Sequence, residues 1–373
     1  MSITEGMVAN KTATTGPWPS GSMPALRFEA PGRLGIAEVP VPEPAPGQVL
    51  VRVRYVGVCG TDAHLLSGHY ADVRNGVTKY PIRFGHEWAG EVLAVADGAD
   101  PALLGRLVVG EPFLSCGHCR TCRSGHYNLC PHRNEMGVRG GVPGAAAEYL
   151  RVPAANIAAV PGGVPAHHAP LAEPSVTVLH AYELARAQPG EHVAVLGTGT
   201  MGLVAVQVGA SMGCRVDAIG IDDAGLGTAS ESGAAAALRP EAAPSGEYDV
   251  VIDATGAASI GPMLTRIAGP AGRVMAVGIP GEPVDGVDLA GFVAKGLTLH
   301  GVLGGVHLLP RALSLIADKR IRPDLLVDSV VPVSQAVAAF QKTAEPGRAR
   351  PKVLLDLSTL TGAVLADGGT TRG

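Results

Sequence analysis

Within residues 48–56 apolar and charged side chains alternate at period two, most plainly over Val51, Arg52, Val53 and Arg54, the pattern of a strand with one face buried. Shorter runs at 89–95 and 106–109 are further strand candidates, and structure is expected to begin with the apolar run at 24–28. The Pro-rich stretch 40–47 reads as a rigid connector. From about Pro174 the period changes. Residues 175–186 carry helical spacing that Pro189-Gly190 ends, the short apolar strand 192–196 follows, and 203–212 form an apolar helix. Strands at 215–221, 249–253, 273–277 and 297–300 then alternate with helices, which predicts a doubly wound parallel sheet. Helix 310–319, strand 327–333, helix 335–343 and strand 352–356 close the chain. The pattern predicts an α/β protein with a β-rich first half and a βα second half.

Composition narrows the class. Among 373 residues, 51 glycines and 30 prolines favour short strands and turns over helical bundles. No uninterrupted apolar run reaches about 18 residues, so no membrane span is expected. Residues 1–21 lack the apolar core of a secretory signal, and the expected location is the cytoplasm. A net charge of −4 without a Lys/Arg block argues against a nucleic-acid groove. Residues 1–23 and 358–373 are expected to be disordered extensions.

The candidate chemistry is concentrated in four places. Cys59, Thr61, Asp62 and His64 follow the first long strand, and a thiolate beside a hydroxyl and an imidazole suits a soft metal or proton transfer. By itself this stretch is equally a buried cysteine in a capped turn. His86-Glu87 and Glu173 offer further ligands, against the alternatives of a solvated His-Glu pair and a helix-terminal glutamate. Cys116, Cys119, Cys122 and Cys130 converge with Cys-x2-Cys spacing, which indicates a closed structural zinc site. The iron–sulfur spacing places three residues before its last cysteine, whereas seven separate Cys122 from Cys130 here. Gly197, Thr198, Gly199, Thr200, Met201 and Gly202 form a Gly-x-Gly-x-x-Gly turn between a strand and a helix, the context that pyrophosphate binding needs. The run 137–144 has no following helix and reads as a loop. At the end of the second βα strand the ribose-binding acidic position falls on Gly220, with Asp222 and Asp223 just beyond. No Arg or Lys follows directly to hold a 2′-phosphate, so NAD is preferred to NADP.

Together these residues, in this order, resemble the zinc-containing medium-chain alcohol dehydrogenase family over residues 25–357. Glu173-Pro174, where many simple alcohol dehydrogenases have a cysteine ligand, is more similar to the polyol, sugar and threonine dehydrogenase branch. Short matches at 85–88 and 99–109 resemble aminocyclitol dehydrogenases. The resemblance implies a GroES-like β-rich catalytic domain (24–174, with the zinc lobe at 115–131), a Rossmann domain (175–305) and a return to the catalytic domain (306–357). It implies a catalytic zinc on Cys59 and His86, with Glu87 or Glu173 as third ligand and Asp62 orienting His86. Thr61 would take the alcohol proton and pass it through the cofactor ribose to His64, and Lys352 would meet the pyrophosphate. The expected reaction is reversible hydride transfer between NAD(P) and a secondary alcohol, in a homodimer or homotetramer. With 4% aromatics, a polar, hydroxylated substrate is favoured. The alternatives are a zinc-free enone or quinone reductase of the same fold, and a non-catalytic dinucleotide-binding protein.

Overall fold

The computed structural model describes residues 18–345 and 347–366. Two sheets organise it. Strand Gln48–Val58 is the spine of the first, flanked by Trp88–Val95, Tyr149–Pro153 and Lys352–Asp356. Leu107–Gly110, Ile157–Ala159 and Val327–Pro332 complete this seven-stranded sheet. The spine buries Val49, Val51, Val53 and Val56 in one core and Leu50 in a smaller cluster, while Arg52 and Arg54 remain partly exposed. Beneath it Phe28, Phe84 and Phe340 meet, with Phe28 and Phe84 stacked at 4.6 Å.

The second sheet is parallel and six-stranded. Numbering its strands from His192–Leu196 gives the spatial order 3-2-1-4-5-6, in which the chain reverses direction beside the first strand. That reversal leaves a crevice at the carboxyl ends of the strands, where a dinucleotide lies in such folds. Helix Thr200–Ser211 follows the first strand and buries its run from Gly202 to Gly209. Among the described residues no helix is long and apolar enough to cross a membrane.

Several elements depart from the sequence pattern. Strand Ser22–Ala30 starts earlier than residue 24 and buries Met23, so the N-terminal extension is shorter than expected; residues 1–17 of that segment lie outside the described residues. Beyond residue 357 the chain makes a short 3-10 turn and buries Leu360 in the first core, where a disordered tail was expected; residues 367–373 lie outside the described residues. Just past residue 306 the His307 N–H donates to Glu111 Oε1, helix Leu309–Ala317 follows, and Val327–Pro332 is the next strand to join the first sheet. That helix presents Leu309, Ala312, Leu313 and Ile316, spaced for one face, to the core that also holds helix Ala172–Ala185.

Candidate active site

Strand Gln48–Val58 delivers Cys59 to the N-cap of helix Gly60–Ser67. The Cys59 backbone N–H donates to Asp62 Oδ2 at 3.0 Å, which fixes the turn and buries the Asp62 carboxylate completely. Its other oxygen faces His86 Nδ1 at 3.4 Å, and among the described residues neither atom has a hydrogen-bond partner. With Nδ1 turned to Asp62, Nε2 is the nitrogen left for a metal. Burial disfavours the imidazolium, but Asp62 and the Cys59 sulfur more than offset this and hold His86 well above the ordinary histidine value.

Glu87 enters from the neighbouring strand, whose register sets Trp88 opposite Val56. Its carboxylate packs over Gly57, where a Cβ would lie 2.3 Å from Oε2. Donor atoms of Cys59, His86 and Glu87 all lie within 4.8 Å of one another, a soft–borderline–hard set that fits zinc. Glu173 stands in the first turn of helix Ala172–Ala185 and faces the same cleft. Among the described residues its carboxyl makes no hydrogen bond or ion pair. Burial, reinforced by Glu87 and Glu135 and opposed by His86, pushes it up to about 8.

Lys352 corrects an expectation. Its ammonium is buried and donates to both Glu87 oxygens, at 2.6 and 2.8 Å, and to Val58 O at 3.3 Å. Strand Lys352–Asp356 runs antiparallel to the spine with Val353 opposite Val58, which sets Lys352 beneath the ligand cluster and commits its charge to Glu87 instead of a pyrophosphate. Sequence spacing contains no trace of this pairing, since the two residues lie 265 positions apart.

The four-cysteine lobe has its own geometry. Cys116 and Cys122, Cys119 and Cys130, and Cys116 and Cys130 are separated by 3.9, 3.8 and 3.6 Å between sulfurs. A tetrahedron with Zn–S bonds of about 2.3 Å has edges of about 3.8 Å, whereas a disulfide would bring two sulfurs to about 2.05 Å. The arrangement fits a zinc tetrahedron and no disulfide. Backbone N–H groups of His118 and Cys119 lower the Cys116 thiol to about 6, favouring the thiolate.

Across the cleft, each glycine of the turn has a distinct task. Gly197 adopts φ +98°, Gly199 has open space where a Cβ would stand, and a Cβ on Gly202 would fall 1.9 Å from Gly197 O. The three respectively allow the turn, leave room for a phosphate and let helix meet strand. The free N–H groups of Thr200, Met201 and Gly202 begin the helix there. Thr198 donates from Oγ1 to Asp222 Oδ2 at 3.2 Å, and Asp222 Oδ1 accepts from Gly225 N at 2.6 Å. Gly220 is required beside them, because its Cβ would meet the Thr198 side chain at 2.8 Å. The sequence reading missed Arg239, which leaves the adjacent strand Ala236–Leu238 and reaches back to Ile221 O and Asp223 Oδ1. The signal was topological: Leu238 pairs with Ile219, so the ends of the two strands are neighbours.

The cleft itself is a cavity of about 350 Å³ lined from both sheets. Cys59, Thr61, His64 and Glu173 stand on one side, with Met201 and Thr255 on the other. Thr61 and His64, three residues apart, share one helix face, Thr61 half-buried and His64 exposed.

Comparison with known proteins agrees with this construction. Residues 45–162 match the alcohol dehydrogenase GroES-like domain and residues 200–318 the zinc-binding dehydrogenase domain. The L-threonine 3-dehydrogenase of Coxiella burnetii (strain Dugway 5J108-111) is 30% identical over 289 residues, 74% of this chain and 82% of that protein. The NADH complex of the alcohol dehydrogenase RspB from Escherichia coli CFT073 superimposes with a TM-score of 0.83 at 30% identity, covering 91% of this chain and 100% of that one. A Sinorhizobium meliloti 1021 protein bound to NADP gives 0.82 at 30% identity, covering 90% and 99%. The chain therefore belongs to the zinc-containing medium-chain alcohol dehydrogenase family and is an NAD(P)-dependent oxidoreductase acting on CH–OH groups.

Proposed function

We propose that this dehydrogenase interconverts a ketone and a secondary alcohol carrying further hydroxyl or amino groups, with NAD preferred to NADP. The observation that carries the reading is the convergence of Cys59, His86, Glu87 and Glu173 on a cleft whose opposite wall is the glycine turn. Cys59 and His86 hold the catalytic zinc, with Glu87 as third ligand and Glu173 as its alternate; the four cysteines hold a second, structural zinc. When bound, zinc supplies a Lewis acid and the nicotinamide a hydride acceptor. Asp62 keeps His86 in one tautomer, and Lys352 neutralises Glu87 from below. Thr61 Oγ1 would accept the substrate hydroxyl proton while giving up its own, and His64, exposed at the rim, would exchange a proton with solvent.

Substrate polarity is supported by Glu135, which lines the cleft without a side-chain hydrogen bond or ion pair among the described residues. A partly buried carboxylate of this kind is suited to accept hydrogen bonds from a hydroxyl or ammonium. The L-threonine 3-dehydrogenase likeness is consistent with such a substrate. NAD is favoured because Asp223 already occupies the Arg239 guanidinium. A homo-oligomer is supported by strand Thr298–Gly301, exposed at the sheet edge near exposed Leu289 and Val293.

Cys59→Ala is expected to abolish turnover across a panel of polyols, sugars, cyclitols and amino-alcohols while far-UV circular dichroism and NAD binding persist. Zinc content should fall from about two ions per chain to about one. Wild-type-like turnover in this variant would refute the assignment.

A further inference from the structure

A second cavity, of about 290 Å³, lies outside the catalytic cleft. It opens where the hairpin of Ser22–Ala30 and Arg33–Pro40 meets segments 78–83 and 137–143. Arg27, Lys79 and Arg83 line it, and among the described residues no Asp or Glu does. Arg27 has a counter-charge, Glu29, at 2.8 Å. Arg83 has none. Its guanidinium makes no hydrogen bond or ion pair among the described residues, and its buried Nε lacks any partner. The charged neighbour it feels is another cation, Arg151, and burial together with Arg151 lowers its pKa to about 10.

A buried, unpaired Nε on a half-buried guanidinium carries a desolvation cost, and a cavity lined by two further cations, Arg27 and Lys79, adds to it. An anion inside would reverse the balance through charge-assisted, bidentate hydrogen bonds, the geometry in which arginine meets phosphate. The volume is several times that of a water molecule, about 30 Å³ in the liquid, and close to the lower bound of about 300 Å³ for small-ligand pockets. Val39, Ile82 and Val142 supply apolar wall for an organic body beyond the charged end. The cavity shares no lining residue with the catalytic cleft.

We propose that this cavity is a second ligand site that binds a phosphate group, free or as a small monoester, through Arg83 and Lys79. The site borders segment 134–143, whose Glu135 reaches the catalytic cleft while Gly137 and Val138 line this cavity.

Calorimetric titration of the zinc-loaded protein, saturated with NAD so that the pyrophosphate site is filled, tests the proposal. The probes are inorganic phosphate, phenyl phosphate (which carries no alcohol for the catalytic site) and phenol as the uncharged control. The wild type is expected to bind one phosphate or phenyl phosphate per chain and to ignore phenol. Tighter binding of the ester assigns the site to phosphorylated metabolites, and equal binding assigns it to free phosphate. Arg83→Gln should weaken binding at least about tenfold, the loss expected for a charge-assisted contact, with NAD affinity and alcohol turnover unchanged. Lys79→Gln, at an exposed position that folding does not depend on, should weaken it several-fold. Absence of saturable binding by the wild type, or undiminished binding by both variants, overturns the proposal.

Discussion

Replacing Lys352 with methionine keeps most of the side-chain volume and removes the only cation paired with Glu87 among the described residues. The two charges lie 2.6 Å apart with side chains 3% and 2% exposed, so solvent screens them little. At an effective dielectric near 20 their attraction is about 6 kcal/mol. Desolvation of two ions, several kcal/mol each, consumes most of that, so the intact pair contributes little net stability. Removing one partner differs, because the carboxylate keeps its desolvation cost and loses its compensation, a penalty of about 3–5 kcal/mol. Urea unfolding of chelator-treated Lys352→Met, Glu87→Gln and the double variant closes a cycle in which a coupling of about 2 kcal/mol or more is expected. Adding zinc back should recover part of the Lys352→Met loss if Glu87 ligates the ion, and none if Glu173 does. Additive single-variant effects, or a Lys352→Met cost under about 1 kcal/mol, would refute the account of a mutually compensated pair.

Four further outcomes follow from the geometry. Gly202→Ala should raise the NAD dissociation constant at least about tenfold and cost about 1–3 kcal/mol from overpacking, measured by titration and urea unfolding with zinc content unchanged. Cys116→Ser should remove about one zinc per chain and lower the thermal midpoint while Cys59 still binds its ion, read by metal analysis and calorimetry. Asp223→Ala frees Arg239 and should move the NAD-to-NADP ratio of kcat/KM toward NADP about tenfold; an unchanged ratio would place the 2′-phosphate elsewhere. Glu135→Gln should raise KM for hydroxylated or amino substrates and leave a simple secondary alcohol unaffected, so parallel losses on both would assign Glu135 a structural role.

Much of the scaffold was readable because its signals are local. Strand 192–196 and strand 352–356 have the expected limits, since an apolar run bounded by Gly and Pro leaves few alternatives. The Cys-x2-Cys lobe and the glycine turn were equally plain, because a few consecutive residues carry each. Helix Gly60–Ser67 was harder, as its apolar face is weak and its start depends on Asp62 accepting the Cys59 N–H. What escaped depends on neighbours distant in sequence. Lys352 beneath Glu87 and Arg239 beside Asp223 are set by strand register and strand order, which one-dimensional spacing does not encode.

That register also dictates an order of assembly. The parallel sheet is made from one continuous stretch, 192–301, so it is complete while the chain behind it is still being synthesised. The other sheet waits for strand Lys352–Asp356, and until then the Tyr55–Val58 end of its central strand keeps a bare edge and Glu87 an unanswered charge. On the ribosome the coenzyme half is thus the first to stand, and the metal half is the exposed, aggregation-prone one. A chain arrested between residues 301 and 352 should bind NAD yet remain chaperone-bound through its unfinished first sheet.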